Sequence, residues 1–145
     1  MPKLKPEDEL RNDWINVFNR MPDMQHERVE NIARNGTPDY AYCLNGVNGW
    51  IEFKVHYGKL PGRCSHWTGP QRKWMRDRGE SNTIFLMLRV QGYDVLLDTT
   101  LANMFEEFGV DDRGVFNYPV KYKTEDVKNL NINLNCLEEE LLGLC

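Results

Sequence analysis

The sequence predicts a single α/β domain with a central mixed sheet flanked by helices. Three observations indicate this class: an amphipathic helix near the start, a β-hairpin after it, and a second helix followed by an almost wholly apolar strand. The 145 residues, 41% of them hydrophobic, suit one core. One domain is expected over 1–145, with its core at about 6–110 and a C-terminal extension of undefined role at 111–145.

The first part of the chain is predicted to be helical. Acidic residues follow Pro6 and suit the positive end of a helix dipole. Apolar residues then recur at helical spacing until Pro22 ends the pattern: Leu10, Trp14, Val17, Phe18 and Met21. A shorter helix is predicted over 26–34, because apolar residues recur there and Asn35-Gly36 supplies a stop signal.

Alternation and turn residues predict the strands. Four segments are expected to pair as two hairpins: 39–44 with 50–55, and 83–90 with 93–97. Two Asn-Gly dipeptides lie between the first pair, and Gln91-Gly92 lies between the second.

The other predicted elements are helices. A helix is expected to begin at Thr68, whose hydroxyl can cap it, and to end at Gly79. Another helix is expected from 99 or 100 to 108. Segment 118–122 is not assigned to an element, and a closing helix is expected over 137–142.

Charge is distributed unevenly along the chain. The formal net charge is −4, but segment 54–78 carries seven Lys or Arg residues against one acid, a local charge of +6 that leaves −10 on the remainder. A basic segment on an acidic protein can direct a polyanion to one face. A solvated charged loop and helix is the alternative interpretation.

Location can be inferred from what the sequence lacks. No segment approaches the roughly 18 uninterrupted apolar residues of a membrane helix, and the first five residues lack the apolar centre of a signal peptide. The four cysteines form no CxxC pair, so reduced thiols are expected. His56, Cys64 and His66 are one ligand short of a structural zinc site. We expect a cytoplasmic protein without a membrane partner.

Asp39, Glu52 and Lys54 are the candidate catalytic residues. Glu52 and Lys54 lie two apart on one predicted strand and therefore share a face, while Asp39 opens the partner strand. Hydrolysis of a phosphodiester is well served by a hard cation on carboxylate oxygens, which Asp39 and Glu52 supply. The carbonyl of Phe53 is expected to complete the protein ligands of a Mg²⁺ or Mn²⁺ ion. Lys54 would orient the attacking water or stabilise the transition state.

These residues resemble a known signature. Gly-Thr-Pro-Asp at 36–39, twelve intervening residues and Glu-Phe-Lys at 52–54 resemble the motif of PD-(D/E)xK nucleases. Gln71 on the next predicted helix matches the glutamine of their VRR-NUC branch, and 28–31 resembles stand-alone phage nucleases of that branch. The resemblance covers roughly 9–90 and extends to the related Holliday junction resolvases.

The resemblance implies a restriction-endonuclease-like fold with an αβββαβ core. It also implies a Mg²⁺- or Mn²⁺-dependent endonuclease that cuts DNA to 5′-phosphate and 3′-hydroxyl ends, with Asp39, Glu52, Lys54 and Gln71 as catalytic residues. Branched or structured DNA, such as a junction or flap in phage DNA metabolism, is the expected substrate, which would place the protein in the host cytoplasm. A homodimer would suit a resolvase, and a monomer a nicking or flap enzyme.

An acidic residue of an early helix often joins the metal site in this superfamily. Glu30 or Glu9 could take that position, and the local resemblance favours Glu30. Glu9 can instead complement the dipole of the first helix, and Glu30 can instead lie on an exposed helix face.

Five basic residues are expected to contact DNA: Lys59, Arg63, Arg72, Lys73 and Arg76. The first two belong to a loop that could grip the DNA backbone or remain solvated, and the others to the second long helix. On that helix Trp74 shares a face with Gln71 and Arg78, and it is expected to pack in the core rather than stack on a base.

Two other function classes compete with the nuclease hypothesis. One is a catalytically inactive DNA-binding module with the same fold, which the complete set of Asp39, Glu52 and Lys54 disfavours. The other is a replication or packaging partner that uses the acidic surface for protein contacts. No residue pattern supports that second alternative directly.

Overall fold

The computed structural model describes residues 4–29, 38–57, 69–78, 83–98 and 121–144. The elements in chain order are α1 (Pro6–Phe18), β1 (Met24–Arg28), β2 (Tyr40–Leu44), β3 (Val47–Val55), α2 (Gly69–Asp77), β4 (Ile84–Val90), β5 (Tyr93–Asp98), β6 (Lys121–Lys123), α3 (Thr124–Lys128) and α4 (Leu134–Leu141). The predicted helix ending at 108 and the Thr68 cap lie outside these residues. Among the helices described, none combines the length and apolar character needed to cross a membrane.

The described strands form one mixed sheet of six strands in the order β1-β2-β3-β4-β5-β6. Neighbours pair antiparallel except β3 and β4, which are parallel. A parallel pair needs a crossover connection, and the chain between β3 and β4 contains α2. The predicted α/β class, with a mixed sheet flanked by helices, is confirmed, and the element order through β4 is α-β-β-β-α-β.

Two tight turns connect antiparallel neighbours. Asn45 and Gly46 have φ of 50° and 81°, and Gln91 and Gly92 have φ of 47° and 83°. Positive φ at both central residues is the type I′ arrangement, whose twist matches that of the flanking strands. Both predicted hairpins are therefore confirmed, although the first turn uses one Asn-Gly pair only, because Gly49 lies within β3.

The short helix predicted over 26–34 is wrong in its first part. Residues 26–28 belong to β1, which pairs antiparallel with β2 along its whole length. Met24 is buried, and the ring of His26 contacts aromatic rings of α1 and β2. Local spacing of apolar residues favoured a helix, but hydrogen bonds to a strand much later in the chain decide the conformation. Residues 30–34 of that prediction lie outside the described part.

One hydrophobic cluster joins α1, the sheet and the C-terminal helices. The stripe predicted on α1 is buried in it, which confirms that helix and its inward face. Ile51 and Phe53 of β3 are 0% and 1% exposed in the same cluster. Because strand side chains alternate, Trp50 and Glu52 point to the opposite face.

That opposite face packs against α2. Trp74 of α2 is buried, and its ring lies edge-on to Trp50 with 5.6 Å between centroids. The guanidinium of Arg78 lies 3.6 Å from the centre of the Trp74 ring. The prediction that Trp74 is a packing residue is confirmed.

The described part of the C-terminal extension contributes to the core. Val127, Leu137 and Leu141 are each 0% exposed. The hydroxyl of Tyr42 donates a hydrogen bond of 2.5 Å to the carbonyl of Leu141. The predicted closing helix is present as α4, and it packs on the strands that carry the candidate site.

A buried carboxylate ties α1 and α3 to the β4–β5 hairpin. Asp94 is 0% exposed and accepts hydrogen bonds from Trp14 Nε1 at 2.9 Å and Thr124 Oγ1 at 2.9 Å. Arg89 donates to both of its oxygens, at 2.7 and 2.8 Å. The charge is therefore paired and hydrogen-bonded, as a buried charge must be.

Candidate active site

Strand register brings Asp39 beside Glu52. Tyr40 lies opposite Ile51 in the β2–β3 pair, so the residue before Tyr40 comes next to the residue after Ile51. The backbone N–H of Asp39 donates to Glu52 Oε2 at 3.0 Å. The structure thus brings together the two carboxylates that the spacing predicted to converge.

Glu52 receives two further contacts, from α2 and from its own strand. Gln71 Nε2 donates to Glu52 Oε1 at 2.8 Å, and Lys54 Nζ lies 3.5 Å from the same oxygen. Glu52 is only 6% exposed. Since α2 packs over the face that Glu52 and Lys54 share, the crossover helix delivers the glutamine to the carboxylate.

Asp39 is held by the backbone of β3 and by α1. Phe53 N–H donates to Asp39 Oδ1 at 3.4 Å, and Arg11 Nη1 donates to Asp39 Oδ2 at 3.3 Å. The side chain of Arg11 is 9% exposed, and its Nη2 lies 2.5 Å from Asp8 Oδ1. Arg11 therefore lies between two carboxylates, one on its own helix and one in the site.

Arg11 and Asp8 were not among the predicted site residues. A usable signal was present: Arg11 lies three residues before Trp14 and seven before Phe18, so it shares the buried stripe of α1. A cation on an apolar stripe requires a buried anion. The sequence alone does not identify that anion as Asp39.

Burial shapes the electrostatics of the carboxylate pair. Burial, together with the negative charge of Asp39, raises the pKa of Glu52 to about 7. Burial also raises the pKa of Asp39, and the positive charge of Arg11 opposes that shift. When both carboxyl groups ionise, their negative charges repel each other, and a divalent cation bound between them would offset that repulsion.

The donor set fits a hard cation. Asp39 and Glu52 supply carboxylate oxygens, the ligands that Mg²⁺ and Mn²⁺ prefer. The described residues contain no cluster of three or more His, Cys, Asp or Glu side chains that could hold a metal ion. A further protein ligand would therefore come from the backbone. Phe53 is suited to this, because N–H and C=O of one strand residue point to the same side and its N–H points to Asp39.

Glu9 forms an ion pair with α3. Its Oε1 is 2.5 Å from Lys128 Nζ on α3, and Lys128 also lies 3.0 Å from Asp13. Asp8, also on α1, reaches the site through Arg11. Glu30 lies outside the described residues.

The structure describes only one side chain of the predicted DNA contacts. Lys73 is exposed and lies 2.6 Å from Asp77 one turn further along α2, a surface pair that costs little to break. Arg72 and Arg76 lie within α2, but their side chains are outside the described part, as are Lys59 and Arg63 altogether. The predicted DNA contacts therefore stay predictions.

The comparisons with known proteins add no relative. No protein-family model matches the chain, and no curated protein matches it. The site is defined by its own chemistry: the buried carboxylate of Glu52, the half-buried carboxylate of Asp39, a lysine and a glutamine.

The metal-free chain is expected to lose stability as pH rises from about 4.5 to about 7. The folded chain keeps a proton on Glu52 where the unfolded chain, with its usual pKa of 4.5, has released it. The unfolding free energy therefore falls with rising pH in this window, and the raised pKa of Asp39 acts in the same direction.

Urea titrations in EDTA between pH 4.5 and 8 measure this dependence. Glu52→Gln carries no titrating group at that position and should flatten the profile. A Glu52→Gln profile as steep as that of the wild type would show that another group is responsible.

Proposed function

We propose that the chain is a Mg²⁺- or Mn²⁺-dependent endodeoxyribonuclease with a restriction-endonuclease-like core. The observation that carries this proposal is the convergence of Lys54 and Gln71 on one oxygen of Glu52, beside Asp39. An ion pair kept only for solubility would be exposed, whereas this carboxylate is buried. The α-β-β-β-α-β order, with β3 and β4 parallel, supports the proposed core.

The carboxylates have a distinct task in this proposal. Asp39 and Glu52, with the Phe53 carbonyl, would hold the cation. When bound, the cation would supply Lewis-acid charge and lower the pKa of a water molecule. Asp39 is oriented by the Phe53 N–H and by Arg11, so its carboxylate is already in place before DNA arrives.

Lys54 and Gln71 act on the scissile phosphate. The Lys54 side chain is 20% exposed, so its ammonium can reach a phosphoryl oxygen while remaining beside Glu52. Gln71 Nε2 donates to Glu52 Oε1, so the amide lies beside the carboxylate, where it could bind the attacked phosphate or its water molecule. Charge developing on the phosphate would thus meet fixed donors in a largely buried setting.

DNA is the proposed polyanion because of the charge beside the site. The segment with a local charge of +6 begins at Lys54 and includes α2, which delivers Gln71. Phosphate contacts from such a segment would position the duplex and make binding strongly dependent on salt. Branched or structured DNA is the proposed substrate class.

Cleavage assays on matched substrates test the function. The purified chain with Mg²⁺ or Mn²⁺ should cut a four-way junction or a flap, and EDTA should prevent cutting. Linear duplex, nicked duplex and single-stranded DNA of the same sequence rank the substrates. Intact but shifted DNA in a gel, with metal present, would instead favour the binding module.

A further inference from the structure

The guanidinium of Arg11 lies between the carboxylates of Asp8 and Asp39. It contacts Asp39 Oδ2 through Nη1 and Asp8 Oδ1 through Nη2, at 3.3 and 2.5 Å. Both carboxylates therefore lie within hydrogen-bonding distance of one planar group. We call this arrangement, formed by Asp8, Arg11 and Asp39, the Arg11 bridge.

Charge around the site explains what the bridge does. Arg11 is the basic side chain that contacts both Asp8 and Asp39, whereas Lys54 contacts Glu52. Without Arg11, the negative charge of Asp8 and Asp39 on the α1 side would have no described cation beside it and could attract a second divalent ion, as in two-metal nucleases. With Arg11 in place, the α1 side of Asp39 is already neutralised.

Arg11 is the buried member of the bridge. Its side chain is 9% exposed, whereas those of Asp8 and Asp39 are 37% and 29% exposed, so the guanidinium depends on these two carboxylates for its charge partners. Asp39 Oδ1 faces the Phe53 N–H, on the β3 side, while Oδ2 faces Arg11. The two oxygens of Asp39 are thus assigned to different partners.

We infer that Arg11 is a positioning residue that limits the site to one divalent cation, held on the β3 side of Asp39. The guanidinium fixes the Asp39 carboxylate and excludes a second cation from the space between Asp39 and Asp8. This inference rests on the proposed role of Asp39 as a metal ligand.

Calorimetric titration of the full chain with Mn²⁺ tests the inference without DNA. The measured quantity is the number of Mn²⁺ ions bound per chain, compared between each protein and the same protein carrying Asp39→Asn. In the wild-type background Asp39→Asn should remove one bound ion. In an Arg11→Met background, where the bridging charge is absent but the aliphatic stem is kept, it should remove two. Arg11→Lys keeps the positive charge, so in that background Asp39→Asn should again remove only one Mn²⁺ ion. Adding Asp8→Asn to Arg11→Met should do the same, because the second ion needs Asp8.

A matched control removes a different cation from α1 carboxylates. Lys128→Ala removes the ion pairs of Lys128 with Glu9 and Asp13, while Arg89 still lies 2.9 Å from Asp13, and the number of Mn²⁺ ions lost on Asp39→Asn should stay at one. Circular dichroism checks each fold, and Arg11→Gln replaces Arg11→Met if the latter does not fold. A loss of two ions in the wild type, or of one in the folded Arg11 variant, overturns the inference.

The outcomes separate the inference from the proposed function. If the wild-type chain cuts DNA but loses two Mn²⁺ ions on Asp39→Asn, the proposed function stands and the inference about Arg11 is overturned. A chain that binds one Mn²⁺ through Asp39, gains a second when Arg11 is removed, and cuts no DNA supports the bridge and overturns the function.

Discussion

Replacing Lys54 by alanine is expected to lower the rate of DNA cleavage by about 10²–10⁴-fold, the usual contribution of a positioned proton-transfer or charge-stabilising group. Lys54 Nζ lies 3.5 Å from Glu52 Oε1, so its loss removes the ammonium that the scissile phosphate would meet. The loss should fall mainly on kcat, since an interaction made in the transition state alone lowers kcat and kcat/KM together. Single-turnover cleavage with saturating Mg²⁺ measures it.

The control for Lys54 is a lysine on another strand of the same sheet. Lys123 is exposed on β6, three strands away from β3, and Lys123→Ala should cut DNA at the wild-type rate. Asp39→Ala should be inactive as well, because it removes a proposed metal ligand. A folded Lys54→Ala variant with wild-type activity would refute the assigned role.

Removal of α4 is expected to unfold the chain. Ending the chain after Asn133 removes Leu137 and Leu141, both 0% exposed, and the carbonyl that accepts the Tyr42 hydroxyl. Truncating one buried leucine to alanine costs about 2–5 kcal/mol, and a whole domain is stable by only about 5–15 kcal/mol. The far-ultraviolet circular dichroism of the shortened chain should show no cooperative urea transition at 25 °C.

A neighbouring pair of point variants gives the matched comparison. Leu137→Ala should lower the unfolding free energy by about 2–5 kcal/mol. Cys136→Ala, at an exposed position on the same helix, should change it by no more than about 0.5 kcal/mol. Equal urea midpoints for the two variants would mean that α4 does not belong to the core.

Short-range patterns predicted much of the fold and of the site. Type I′ turns depend on two adjacent residues, so Asn45-Gly46 and Gln91-Gly92 were sufficient to locate both hairpins. Side chains alternate between the two faces of any extended strand, so the shared face of Glu52 and Lys54 followed from their spacing once the strand was predicted.

The β1 strand shows where such patterns fail. Its residues have no strong strand signal of their own, and they are extended because β2 supplies hydrogen-bond partners. Strand formation in such a segment depends on the neighbour against which it packs, which no local window contains.

By itself, the sequence determined the α/β class, the hairpins and the shared face of Glu52 and Lys54, because those depend on patterns along neighbouring residues. Only the tertiary structure decided that Asp39 is bridged through Arg11 to Asp8, that Glu9 lies against Lys128, and that the C-terminal helices complete the core. These contacts join residues far apart in the chain, and their partners are selected by packing and burial, which act in three dimensions.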